Sequence, residues 1–285
     1  MEYIYKQYTI ETKKVTDDKR IVTISDLHFN SKTDLNEIDE LLLKINDLIP
    51  NYIFILGDIF TYNNLENITF QKNILLFFKL LSTIGKSYLI FGNHDQIEIQ
   101  KKQKYFVNIN KLLDFYQNTG IKVINNDLIK VDEFDIIGFN KFLNNYADEF
   151  IQSENLKREI IELHAKLKNL LTKDRFTIML THSHLDLLKT ECQLLKCCDL
   201  ILAGHTHNGL VPNFLESFIS PNKGLFTKGK LFQNNIRGTF IENDQTFIVN
   251  GGITKISDNK PKLIKKLTKS WYPSEIDLIK INTKK

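Results

Sequence analysis

The sequence predicts an α/β fold with a buried, largely parallel sheet region. Short apolar runs stop abruptly at polar clusters, as Ile-Val-Thr-Ile does before Ser25-Asp26 and Tyr52–Leu56 does before Gly57-Asp58. Longer stretches with helical spacing separate these runs. The order strand, polar loop, helix then repeats. Helical crossovers imply parallel pairing with both sheet faces covered.

Taken in order, residues 3–14 alternate like a strand and end at the turn signal Asp17-Asp18-Lys19. Residues 20–25 form a short apolar strand. Residues 35–49 carry Leu35, Ile38, Leu41, Leu42, Ile45, Leu48 and Ile49 at helical spacing, and Pro50 stops them. The strand at 52–56 is followed by a helix over 66–81 and a strand over 87–91, which ends at Gly92-Asn93-His94-Asp95. The spacing predicts a helix over 102–117, short strands over 121–124, 128–131 and 134–138, and a charged amphipathic helix over 155–171. Residues 176–180 run into Thr181-His182-Ser183-His184, and 200–203 into Gly204-His205-Thr206-His207. Late strands fall at 246–250 and 276–281. With no repeat and no Pro/Gly/Ser linker, residues 1–285 read as one domain. Segments 97–118 and 139–175 are candidates to roof its site.

Composition narrows the function classes. The chain has 285 residues, 42% hydrophobic and 25% charged, which excludes disordered, collagen-like and disulfide-scaffold chains. Net charge is +4, and the only arginines are Arg20, Arg158, Arg175 and Arg237. That balance argues against a nucleic-acid groove, which leans on arginine. The cysteines, Cys192, Cys197 and Cys198, form neither a disulfide framework nor a zinc ladder, as expected of free thiols in a reducing cytosol. The N-terminus has no basic stretch followed by an apolar run, and no apolar run approaches membrane-spanning length. The expected location is therefore cytoplasmic. Membrane contact would be peripheral, at the inner face, through the apolar run 210–219 or the lysine-rich stretch 260–269. Both are also ordinary core or surface sequence.

The histidines carry the chemistry. There are seven, and His28, His94, His182, His184, His205 and His207 all fall in strand-end loops, beside Asp26, Asp58, Asn93 and Asp95. In open α/β sheets ligands collect at the carboxyl ends of strands. A mixed imidazole, carboxylate and amide set suits divalent Mn, Fe, Co, Ni or Zn and is too nitrogen-rich for a calcium site. In Asp26-x-His28 and His205-x-His207, alternate residues can face one side. So many candidate ligands exceed the needs of one tetrahedral ion and suit two, about 3.5–4 Å apart. His164, between Glu162 and Lys166 in a helical stretch, reads as a solvated residue.

Asp26-Leu27-His28, Gly57-Asp58, Gly92-Asn93-His94-Asp95, His182 and Gly204-His205-Thr206-His207 stand in the order that resembles the calcineurin-like metallophosphoesterases. The resemblance spans residues 26–207. It implies a four-layer αββα sandwich with a dinuclear metal centre. By the same resemblance one metal takes Asp26, His28, Asp58 and His207, and the other takes Asp58, Asn93, His182 and His205. Asp58 bridges them together with a water or hydroxide that attacks the phosphoester in line. His94 is implied as acid and charge stabiliser at the leaving oxygen, and Asp95 as the residue orienting its ring. Asp95 also reads as a cap for the next helix. His184 reads either as pocket lining or as a helix cap.

Departures from subfamily patterns narrow the reading further. No arginine closely follows Gly57-Asp58, unlike the protein phosphatases of the family. Tyr62 lies four residues past Asp58, off the place expected for purple acid phosphatases. The start and the Gly-His-Thr-His block are most similar to the small bacterial, membrane-associated-type phosphoesterases, although the anchor and the Gly-Gly-Gln of that group are missing. The expected activity is hydrolysis of a phosphomonoester or phosphodiester in a small molecule, nucleotide or lipid head group. The alternatives are a nuclease of the same fold and a non-catalytic scaffold.

Overall fold

A computed structural model describes residues 2–30, 33–60, 68–100, 103–106, 109–140, 154–185, 187–189, 193–227, 230–253 and 271–284. In chain order the elements are β1 Tyr3–Thr12, β2 Lys19–Ile24, α1 Leu35–Asn46, β3 Tyr52–Leu56, α2 Ile68–Ile84, β4 Lys86–Ile90, β5 Ile97–Gln100, β6 Gln103–Phe106, α3 Ile109–Tyr116, β7 Lys122–Val123, β8 Asp127–Val131, β9 Phe134–Phe139, α4 Glu154–Leu167, β10 Phe176–Thr181, β11 Leu200–Ala203, β12 Phe226–Thr227, β13 Lys230–Leu231, β14 Gly238–Glu242, β15 Gln245–Val249 and β16 Ser274–Thr283.

Two mixed six-stranded sheets result. The first runs β1-β16-β2-β3-β4-β7 and the second β14-β15-β11-β10-β9-β8. Within the first, β2, β3, β4 and β7 are parallel, while β16 pairs antiparallel to β2 and parallel to β1. Within the second, β9, β10, β11 and β15 are parallel, flanked by antiparallel β8 and β14.

Strand periodicity explains the layers. Side chains alternate faces along a strand. On β3, Tyr52, Phe54 and Leu56 point between the sheets, where they meet Phe134 and Ile136 of β9, Phe176, Ile178 and Leu180 of β10, and Leu200 and Leu202 of β11. Ile53 and Ile55 point the other way, onto Ile38, Leu41 and Ile45 of α1 and Ile74, Phe77, Phe78 and Leu81 of α2. Met179, Ile201 and Ala203 on the far side of the second sheet cover Leu156, Ile160, Leu163 and Leu167 of α4. The stack is helices, sheet, sheet, helix: a four-layer αββα sandwich. Each large side chain buried this way contributes about 1.5–3 kcal/mol.

Two sequence expectations shift. The helix expected over 102–117 is shorter: Gln103–Phe106 pairs with Ile97–Gln100 as a hairpin, and only Ile109–Tyr116 is helical. Helix α1 stops at Asn46, and Ile49 takes a left-handed φ of 48° before Pro50. Of the segments expected to roof the site, α3 packs Leu112 and Tyr116 into the α1–α2 layer and α4 covers the outer face of the second sheet. Residues 141–153 lie outside the described residues, as do Tyr62, Cys192 and the stretch 260–269.

Candidate metal centre

The parallel strands β2, β3 and β4 end side by side, and each hands over to a polar loop. The ladder continues past the strand ends: the Asp26, His28 and Phe29 N–H groups donate to the carbonyls of Gly57, Asp58 and Ile59 at 3.0, 3.0 and 2.7 Å. This brings Asp26 and His28 beside Asp58. Across the sandwich, β10 and β11 end at His182 and His205, and the Gly204 N–H donates to the His182 carbonyl at 3.0 Å. The His205 N–H donates to Asp26 Oδ2 at 3.0 Å and so joins the two sheets at the site.

Three groups of side chains converge, with ligand atoms within 4.8 Å of one another: Asp26, His28 and His207; His28, Asp58 and His94; and Asp58, His182 and His205. Asp58 lies in two of them. His28 Nε2 is 3.9 Å from both Asp26 Oδ1 and Asp58 Oδ2, and His207 Nε2 is 3.6 Å from Asp26 Oδ1. The rings of His28 and His207 stack at 5.4 Å, and His94 stands edge-on to His28 at 4.9 Å.

Five of the seven expected ligands hold left-handed backbone: Asp26 (φ 53°), His28 (49°), Asp58 (53°), His205 (71°) and His207 (48°). For residues other than glycine such conformations cost about 1–3 kcal/mol each and gather at functional sites.

The donors fit divalent metal ions. Asp26 Oδ1 and Asn93 Oδ1 are buried without a hydrogen-bond partner, and such atoms are destabilising unless something else satisfies them. The histidines are also prepared. A carbonyl only accepts, so His182 Nδ1, 2.7 Å from the Leu56 carbonyl, carries the proton. Its Nε2 then faces Asp58 Oδ2 at 3.2 Å and His205 Nδ1 at 3.0 Å. Fixing one imidazole nitrogen on a carbonyl is how proteins aim the other at a metal.

Electrostatics follow from burial and from these neighbours. Burial alone would raise the Asp58 pKa, but the charge and hydrogen bond of His182 outweigh it and hold the carboxyl well below the usual range. Burial opposes charge on His182, yet Asp58 wins and pushes the imidazole up to about 9. Burial lowers His28 to about 4 and also lowers His207. Those two rings are thus neutral, the form that binds metal.

Asp95 differs from the expectation. Its Oδ1 accepts the N–H groups of Ile59 and Phe60 at 2.8 and 3.2 Å, and its Oδ2 accepts that of Gly92 at 2.8 Å. The carboxylate thus clamps the loop after β3 to the loop after β4 instead of orienting the His94 ring. Burial, then the Asp58 charge, raises its pKa to about 7. The His184 carbonyl accepts the Leu188 N–H at 3.2 Å, at the start of the turn over Leu187–Lys189. Its ring, buried against Phe240 and Phe247, donates from Nε2 to the Asn235 carbonyl at 2.6 Å. His182, not His184, joins the converging group.

One contributor went unread in the sequence. The loop Asn250-Gly251-Gly252 passes against the site: Asn250 Oδ1 meets Ser25 Oγ at 2.8 Å, and Ser25 Oγ donates to Asp26 Oδ2 at 2.6 Å. A polar residue and glycines at the end of an apolar run, the same pattern as Gly57-Asp58, was the available signal.

The chain belongs to the calcineurin-like phosphoesterase family, whose model matches residues 19–209. It is similar to an uncharacterized metallophosphoesterase of Campylobacter jejuni, 26% identical over 242 residues, which are 82% of this chain and 57% of that one. An uncharacterized metallophosphoesterase of Aquifex aeolicus is 24% identical over 72% of this chain and 70% of that one. The chain thus spans little more than half the length of the Campylobacter relative. The crystal structure of a dimetal phosphatase from Danio rerio shares the fold, with a TM-score of 0.50 at 11% identity, over 84% of this chain and 89% of that one. Among the described residues no helix is long and apolar enough to cross a membrane.

Proposed function

We propose that the chain is a two-metal hydrolase of small phosphoesters, with Asp26, His28, Asp58 and His207 holding one ion and Asp58, Asn93, His182 and His205 the other. The observation that carries this reading is the convergence of Asp26, His28 and His207 on one side and of Asp58, His182 and His205 on the other, with His28 and Asp58 meeting in a third group that links them. Bound there, divalent ions such as Mn, Fe, Co, Ni or Zn neutralise phosphate oxygens and acidify water enough for hydrolysis near neutral pH.

The chain's own residues do the rest. Asp58 lies in two of the three converging groups, and its Oδ1 accepts the His94 N–H at 2.8 Å, which ties His94 to that carboxylate. The His94 ring stands edge-on to His28. There it delivers a proton to the leaving oxygen and stabilises the charge that develops on it. Asp95 sets the spacing of the loops that bear Asp58 and Asn93. The net charge of +4 with few arginines favours a small phosphoester, nucleotide or head group over a nucleic acid.

The test is hydrolysis of p-nitrophenyl phosphate and its bis ester by EDTA-stripped protein, with Mn, Ni, Co, Zn or Mg restored singly. Turnover that metal restores and Asp58→Asn abolishes supports the reading. Folded protein that is inert with every metal would sink it and favour a scaffold.

A further inference from the structure

Strand β16 carries two carboxylates, Glu275 and Asp277, on its face toward the second sheet, and neither is exposed at all (0%). Beyond them on the same face lie Ile279 and Ile281, part of the apolar inter-sheet core. Two buried acids at the end of an apolar layer require specific partners. Both sets of partners lead to the metal centre.

From Asp277 the path crosses to the second sheet. Its Oδ2 accepts Asn250 Nδ2 at 2.9 Å and the Thr23 hydroxyl at 3.2 Å. The Gly252 N–H donates to Asn250 Oδ1 at 3.0 Å, which settles which end of that amide is oxygen. The same oxygen lies 2.8 Å from Ser25 Oγ, itself 2.6 Å from Asp26 Oδ2. One serine proton therefore sits between two acceptors, and Asp26 Oδ2 is pinned on the inner side. The other oxygen, Oδ1, is left facing His28 and His207.

From Glu275 the path crosses to the edge strand. Its Oε1 accepts the Gly251 N–H at 2.5 Å, and its Oε2 pairs with Lys6 Nζ at 2.8 Å. Lys6 Nζ also donates to Asn208 Oδ1 at 3.4 Å. Asn208, held left-handed at φ 58°, directly follows His207. Its amide donates in turn to Glu216, which Arg237 Nη1 meets at 3.2 Å. The first path thus ends on Asp26 and the second on Asn208, the residue after His207; Asp26 and His207 belong to one group. Asp26 Oδ2 also accepts the His205 backbone N–H at 3.0 Å, but the His182 side chain of the other group is aimed by the Leu56 carbonyl.

We propose that Glu275 and Asp277, acting through Lys6 and Asn250, are positioning residues for one metal subsite only, the one formed by Asp26, His28 and His207 with Asp58. This inference rests on the two-metal reading and adds which residues tune one half of it. Outer contacts of this kind typically change metal affinity about 10–100-fold.

The experiment titrates Mn(II) into the EDTA-stripped full chain by calorimetry, with electron paramagnetic resonance to tell coupled pairs from isolated ions. Wild type should take two equivalents and give a coupled spectrum; fewer would overturn the two-metal reading itself. Asn250→Ala should keep one equivalent at its original affinity and weaken the other about 10–100-fold, with the isolated-ion spectrum replacing the coupled one. The double change Lys6→Met/Glu275→Gln, which removes the buried pair without leaving a lone charge, should do the same. Asp277→Asn keeps an acceptor for Asn250 and should retain both equivalents. Equal weakening of both equivalents, or no weakening of either, would overturn the proposal. If Asn250→Ala fails to fold, the edge-strand double variant decides alone.

Discussion

Gly92 and Asp58 are in such close contact that no side chain fits between them: a β-carbon on Gly92 would overlap Asp58 Oδ1 and lie 2.5 Å from the Asp58 nitrogen. The loop after β4 is therefore laid directly on the carboxylate that lies in two of the three converging groups. Gly92→Ala should displace Asp58 and lower metal uptake at both subsites, whereas Gly85→Ala, where the closest β-carbon contact is 3.0 Å and far from the site, should leave uptake intact. Metal content after dialysis against Mn(II) checks this.

Asp95→Asn tests the clamp. An amide offers one oxygen where the carboxylate serves three N–H groups on two, so its NH2 must face a donor. Leaving a buried N–H unsatisfied costs about 1–3 kcal/mol, and urea denaturation of the stripped protein should show a loss of that size. No loss would mean that Asp95 does not hold the loops.

His94→Ala should retain both metals and lose turnover about 100-fold or more. Loss of metal instead would show that His94, which stands within reach of His28 and Asp58, serves as a ligand.

His182→Ala should lose the second metal equivalent. His184→Ala should keep both and reduce only stability, since His184 packs on Phe240 and Phe247. The reverse pattern would exchange the two assignments.

Asp277 predicts a pH dependence. Burial, then Glu275, raises its pKa to about 8, against Asn250, Lys6 and Thr23, which lower it. Tyr8 of β1 also faces it. A carboxyl whose folded pKa is raised contributes stability that is full below about pH 4 and lost as pH rises through about 8. Asp277→Asn should therefore flatten the decline of unfolding free energy across that window, measured on stripped protein at several pH values. An unchanged slope would assign the decline to other groups.

The sequence made the strands legible because each apolar run is short and cut off by a polar cluster. It made the candidate site legible because Asp26, Asp58, Asn93, His182, His205 and His207 all sit one or a few residues past a strand. What it hid were contacts between distant segments. The Asp95 carboxylate meets Ile59 and Phe60, more than thirty positions away. His184 lies two residues from His182 yet turns toward Asn235. The hairpin β5–β6 was hidden by the run Lys101–Lys104, whose residue types favour helix, although Ile97-Glu98-Ile99-Gln100 alternates with period two. Strand β14 was missed as well. Its signal was Asn243-Asp244, a two-residue turn with φ of 50° and 66° joining β14 to β15.

The most direct test of the two-metal centre is anomalous diffraction from crystals grown with Mn(II). Two peaks are predicted, one among Asp26, His28, Asp58 and His207 and the other among Asp58, Asn93, His182 and His205. A single peak, or one coordinated by His184 in place of His182, would contradict it.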